Sequence, residues 1–303
     1  MRNRIAAMFM AAMTGMAAML TPEGMVINEG NAPYVALGSD LTEDEREEVL
    51  GLLELEPEQL TEDTVTELTA EDERHYAGED ADRELLSDGC VISCSVRPLE
   101  RGSGITVDTR NIGGAAPEMY INALATCGME DAGVMIVSPV ENAGVAGVSG
   151  AMKAYSKMNG HAIEPDVVQI ATGELMLQMA IAAYAEDPER TAEFDGLLKR
   201  VVLNNRISDP AEIRSAALDI ASQLDLRLTD EDTERSVDIM GRILEMNPDI
   251  KILMLQSEPV YMLARERGLD LTAYGIDLAD DGTFFGKLRA LFEKNEESDQ
   301  SAL

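Results

Sequence analysis

Residues Tyr34 to Leu53 read YVALGSDLTEDEREEVLGLL, a short apolar run, a break and a helix opening. Tyr34 to Leu37 is built of strand formers, and Gly38-Ser39-Asp40 interrupts it. Thr42 followed three residues later by Glu45 is a capping box, in which each side chain bonds the other's backbone N–H, so a helix is predicted to about Leu53. Thr64 to Leu68 then alternates β-branched with acidic residues and is expected to be a second strand, with an acidic helix starting near Ala70.

Working outward, Cys90 to Val96 and Gly104 to Thr109 are strand-like and separated by Pro98 and Arg101-Gly102-Ser103, which predicts an antiparallel hairpin. Pro117 and Glu118 suit the first turn of a helix, and Gly128 after Cys127 suits its left-handed end. Val134 to Val137 is expected to be a strand ended by Pro139, and Gly144 to Met158 another helix. Two β-α passes plus a hairpin predict a two-layer α/β (α+β) domain over residues 33–160, a mixed sheet with helices on one face. After Gly160 strand alternation vanishes, and helix starts recur at Pro165, Pro188, Pro210 and the capping box Thr229 to Asp232. An all-α domain over 163–294 and a polar tail over 295–303 follow. Two domains also fit a chain of 303 residues.

The N-terminus reads as an address. Met1 to Arg4 supplies two Arg, and Ile5 to Leu20 then runs without a charge, the order of a secretory signal. The run falls short of the roughly 18–20 residues that span a bilayer, which favours a removed leader over an anchor. Residues 1–32 are therefore expected to be a signal peptide and short leader, and the mature protein to be secreted or extracytoplasmic, at the cell surface or beyond. An uncleaved anchor and an Ala/Met-rich core helix are the alternatives. No second apolar span is expected further on.

Charge narrows the partners. Fifty-seven acidic against 24 basic side chains give a net charge of −33, which repels phosphate backbones and anionic lipid surfaces. Nucleic-acid binding is disfavoured, and with no Trp, five Phe and seven Tyr stacking platforms are scarce. Ser39 to Asp88 alone holds twenty Asp or Glu against three Arg. That stretch is a solvated face, or a surface for divalent cations or a basic partner. Cys90 and Cys94, if on one strand, lie about 13 Å apart and cannot bond each other. Cys127 bonds one of them only if the fold brings them together, and otherwise all three are buried thiols.

Tyr34-Val35-Ala36-Leu37-Gly38-Ser39-Asp40-Leu41-Thr42, Asn111-Ile112, Met119 to Leu124, Gly128 with Asp131-Ala132, Ser138-Pro139 and Gly150 to Tyr155 resemble, in order and spacing, the YpuA-like family of predicted secreted proteins, domain of unknown function 1002. The resemblance covers most of the chain after the leader and is closest over 34–160. It implies an extracytoplasmic location in mainly Gram-positive bacteria, the α/β-then-helical layout and no established activity. It supplies no catalytic or ligand residues, and the cysteines of this chain depart from its pattern.

Chemistry has few candidates. His75 and His161 are the histidines, and carboxylates around His75 favour its charged form. Gly147-Val148-Ser149-Gly150-Ala151 lacks the final glycine of a nucleophile elbow, so Ser149 is not expected to be catalytic. Gly144, Gly147 and Gly150 at the start of a helix offer an anion cradle or, more simply, close packing on the sheet. Asp277 to Gly282 lacks the acids of a calcium loop, and no H-E-x-x-H or C-x-x-C is present. The expectation is therefore no catalytic, cofactor or metal residue. A non-enzymatic interaction module for a protein or envelope component leads, with a wall-acting hydrolase and a divalent-cation-dependent surface protein as rivals.

Overall fold

The computed structural model describes residues 33–78, 86, 89–160, 164–278, 285–288 and 290. The expected leader over 1–32, His161, most of the acidic loop 279–282 and the tail lie outside the described residues. The chain from Ala32 onward is one compact unit.

Five strands form one sheet in the order β2-β1-β3-β5-β4, with β1 Tyr34–Gly38, β2 Val65–Leu68, β3 Ser93–Pro98, β4 Thr106–Ile112 and β5 Ala132–Asn142. Helix α1, Glu43–Leu52, crosses from β1 to the parallel β2, and α3, Pro117–Thr126, crosses from β4 to the parallel β5. Each crossover satisfies the length that parallel neighbours need. Helix α2 is Ala70–Ala77 and α4 is Ala146–Asn159. The remaining helices are α5 Pro165–Ala185, α6 Pro188–Asn205, α7 Pro210–Gln223, α8 Asp230–Met246, α9 Ile250–Gln256 and α10 Glu258–Arg267.

Local chemistry places these boundaries. The capping boxes Thr42/Glu45, Thr69/Asp72 and Thr229/Asp232 all close, with both reciprocal bonds made. Pro117, Pro165, Pro188 and Pro210 each open a helix, where the missing N–H costs nothing. Gly128 takes φ 76° just past α3, the conformation its position requires.

Three expectations are corrected. Strands β3 and β4 are not a hairpin, because β5 lies between them, antiparallel to β3 and parallel to β4. The reason is burial: β5 is apolar on both faces and takes the interior, while β4, Thr106-Val-Asp-Thr-Arg-Asn-Ile, is half polar and takes an edge. Pro139 does not end β5, since the β3 ladder stops at Val137 and no partner needs the N–H that Pro139 lacks. Nor are the helices confined to one face. Val35, Leu37 and Val137 meet Val49 and Leu50 of α1 and Leu53 just past it on one side, whereas Ala36, Cys94, Val96 and Ile136 meet α3 and α4 on the other.

The boundary expected between 160 and 163 falls on residues outside the described set. On either side of it one apolar core runs from Ala36 and Cys94 through Leu124 and Leu175 to Val201, Ile243 and Val260. Helix α3 joins the halves, packing on β4 as well as on α5 and α6. The 21-residue α5 has an 18-residue window of mean hydropathy 1.3, long and apolar enough to cross a membrane, which corrects the expected absence of a second apolar span. That window is 61% buried inside the fold, as in the core helix of a globular protein.

Candidate functional site

On the α1 side of the sheet, the ends of β1 and β2, Arg46 and residues 60–62 line an open groove of about 440 Å³. Leu37, Leu60 and Val65 give it an apolar floor, and Arg46, Glu62 and Glu67 give it charged walls. The local sequence builds it in steps. Gly38 ends β1 with its N–H on Ser93 Oγ at 3.1 Å, and a Cβ there would lie 2.5 Å from the Cys90 carbonyl oxygen, so glycine is required by close approach. Asp40 then accepts from the Cys90 N–H at 2.8 Å. That bond, with the Ser39 hydroxyl, holds its carboxyl below the usual aspartate value.

Strand β2 pairs only with β1 among the described residues. Val35 and Ser39 donate to the carbonyls of Thr64 and Leu68, so the even-numbered residues of β2 face β1. By the alternation of a strand, Glu67 turns its N–H to the open edge.

A second polar constellation lies between α3, α5 and α6. Lys199 is buried and ion-pairs with Glu174, which is likewise buried. Its Nζ also donates to Thr126 Oγ1 at 2.9 Å and to the Asn122 carbonyl oxygen at 3.1 Å, and stands 3.6 Å from Asp195 Oδ2. Asn122 Nδ2 donates to Gln178 Oε1 at 3.1 Å and to the Ala192 carbonyl at 2.9 Å. Burial, then the Glu174 charge, raises the pKa of the Asp195 carboxyl well above the usual range. The Lys199 ammonium keeps a raised pKa although burial opposes it, because Glu174 and Asp195 outweigh burial. Alongside, the Arg200 guanidinium lies 5.2 Å from the centre of the Tyr261 ring. A buried ion pair of this kind costs more desolvation than an apolar replacement, so its presence is not explained by stability.

The residues singled out by sequence are placed as follows. Ser149 is buried in α4 and donates to the Ala146 carbonyl at 3.0 Å, a helical back-bond. Gly144, Gly147 and Gly150 are packing sites: added Cβ atoms would lie 2.2 Å from Tyr120 Oη, 2.8 Å from Tyr120 Cε1 and 2.7 Å from Cys94 Sγ. His75 lies in the last turn of α2 with its ring edge-on to Tyr76, and its carbonyl accepts from Gln169 Nε2. Cys90, Cys94 and Cys127 are all free thiols, so Cys127 bonds neither of the others. Burial pushes the Cys90 thiol up to about 12 and raises Cys94 and Cys127 as well. No group of three His, Cys, Asp or Glu among the described residues is placed to hold a metal.

Sequence reading missed the Lys199 cluster. Its signal is a charge where the pattern is otherwise apolar: Glu174 is the one charged residue between Val167 and Ala185, and Lys199-Arg200 interrupts Leu197-Leu198 and Val201-Val202-Leu203. The groove had no signal beyond the acidity of its stretch, because Leu37, Leu60 and Val65 meet only in the fold.

A family model described as a protein of unknown function, DUF1002, matches residues 37–258. The chain is also 33% identical over 217 residues to the uncharacterized protein YpuA of Bacillus subtilis (strain 168), covering 71% of this chain and 72% of that protein. No solved structure matches.

Proposed function

We propose, starting from the fact that the chain belongs to the DUF1002 family, that it is an exported, non-enzymatic interaction module that takes up an extended cationic segment of a partner protein beside β2. Membership brings no activity, so the reading rests on the surface. The observation that carries it is the groove over β1 and β2 next to the edge strand β2, set within the stretch that holds twenty acids against three Arg.

An unpaired strand edge offers backbone donors and acceptors to an added strand, and these give affinity regardless of side chain. Specificity comes from what lines the edge. Leu37, Leu60 and Val65 take the aliphatic stems of Lys or Arg, while Glu62, Glu67 and the surrounding acids receive the charged ends. The two Arg of Met1 to Arg4 followed by the uncharged run Ile5 to Leu20 support delivery to the envelope.

Binding is tested by titrating a fluorescent Lys/Arg-rich peptide into the purified protein. Salt-sensitive binding is expected, and it should be lost in Glu67→Pro, which removes the outward N–H, and only weakened in Glu67→Gln. Equal binding of a Glu-rich peptide, or full binding by the folded Glu67→Pro variant, refutes the reading. Export is tested by fractionating producing cells and taking the intact mass of the product. A shortened chain in the wall or medium is expected, and a full-length chain in the cytoplasm refutes it.

A further inference from the structure

The helical half places an amine and two carboxyls together where water does not reach. Lys199 and Asp195 lie four residues apart on α6, and the side chains of Lys199, Asp195 and Glu174 are 1%, 2% and 0% exposed. Nζ of Lys199 touches Glu174 Oε1 on one side and stands 3.6 Å from Asp195 Oδ2 on the other. The oxygens Asp195 Oδ2 and Glu174 Oε2 are buried without a hydrogen-bond partner. Such a cluster pays the desolvation of two charges, whereas a neutral amide in the same volume would pay for none.

We propose that Lys199 and Asp195 are joined by an intramolecular isopeptide bond, formed by condensation of Lys199 Nζ with Asp195 Cγ. The spacing of four residues puts both side chains on one face of α6, so the amide spans a single turn without unwinding the helix. Glu174, on α5, is the proton shuttle. The Lys199 ammonium passes one proton to the Glu174 carboxylate, and the freed amine forms the N–C bond to the carbon of the Asp195 carboxyl. Glu174 returns that proton to the departing Asp195 hydroxyl, which leaves as one water, and then takes the remaining surplus proton from the new nitrogen. The cluster goes from two opposite charges to none, with no change of oxidation state and no other reactant. Burial and the Glu174 charge raise the Asp195 pKa, which favours the carboxylic acid, the better electrophile. The side-chain amide of Asn122 is occupied by Gln178 and by the Ala192 carbonyl and does not compete.

Mass spectrometry of the full chain tests this directly. The intact mass should fall one water below that calculated for the chain as isolated, with or without its leader. Trypsin should release Thr191 to Arg200 as one peptide, one water light, uncut after Lys199 and silent for backbone fragmentation between Asp195 and Lys199. An unmodified mass overturns the proposal. So does a branched peptide joining Lys199 to the Glu174 segment. Because Asp195 precedes Gly196, a backbone succinimide would lose the same water; a light peptide that trypsin still cuts after Lys199 and that hydroxylamine cleaves is that species and also overturns the bond. The Glu174→Gln variant, checked for folding by circular dichroism, should regain the full mass and cleavage after Lys199. A bond that persists in it overturns the role of Glu174.

Discussion

Replacing Gly150 by Ala sets two effects of known size against each other. Gly150 sits inside α4, where alanine is favoured over glycine by about 1 kcal/mol. Against this, the added methyl would lie 2.7 Å from Cys94 Sγ and 2.9 Å from Leu68 Cδ2, and overpacking of a filled core costs about 1–3 kcal/mol. Leu68 can turn away. Cys94 cannot, because it is held in mid-strand by Ala36 of β1 on one side and Ile136 of β5 on the other. The two effects net a loss of up to about 2 kcal/mol for Gly150→Ala, or up to roughly 4–8 °C in the unfolding midpoint. Urea and thermal unfolding followed by circular dichroism give the number. Adding Cys94→Ala removes the obstructing sulfur, so the double variant should be more stable than the sum of the single effects by about 1–2 kcal/mol. A Gly150→Ala variant more stable than the parent, or strict additivity in the pair, refutes the packing role assigned to these glycines.

Tyr120→Phe should lose about 1–3 kcal/mol in the same assay, since Tyr120 Oη donates to the Gly144 carbonyl at 2.6 Å inside the core and its loss strands that oxygen. For Asp72, burial works to raise the pKa, but the Lys153 ammonium 2.7 Å away and the Thr69 hydroxyl and N–H outweigh it, leaving the carboxyl below its ordinary 3.8. Above that value both folded and unfolded chains are ionised and the contribution is whole; as the pH falls through it the unfolded chain takes its proton first and the contribution is lost. Asp72→Asn should therefore be less stable than the parent at neutral pH and shed less stability on acidification, as urea midpoints at several pH values will read. Cys90 and Cys94, buried with raised pKa values, should resist iodoacetamide in the native protein at mildly alkaline pH and react once urea unfolds it; peptide mapping of fast native labelling at either would contradict their burial. Thr229→Ala should cost about 1 kcal/mol by removing the cap of α8.

What the sequence made legible was local. The capping boxes at Thr42 and Thr229 and the prolines that open α3, α5, α6 and α7 act within a few residues, so their reading needs no knowledge of the fold. Sheet order is a different matter, because the pairing of β5 with β3 and β4 is decided by which strand can afford burial on both faces, and adjacency in sequence argued for β3 with β4. The Lys199 cluster joins residues 122, 174, 195 and 199 across three helices, and no spacing rule reaches that far. Several residues that carry the family resemblance prove to be joints of the framework. Asn111, at φ 58° in the bulge of β4, donates to the Ser138 carbonyl, Lys153 pairs with Asp72, and the Tyr155 hydroxyl accepts from the Glu130 N–H.

The place of β5 in the sheet has a consequence for the order in which the molecule can assemble. Among the described residues it is the last strand, yet β3 and β4 both take it as a neighbour, and β4 has no other pairing there. While a chain emerges from its N-terminus, β1 and β2 can close over α1, but β4 has no ladder to join until residues 132–142 are free. Sheet closure is thus a late, non-local event that waits on loop closure before its contacts repay the entropy. A chain still short of β5 leaves β4 unpaired, while β1, β2 and β3 already have one another as partners.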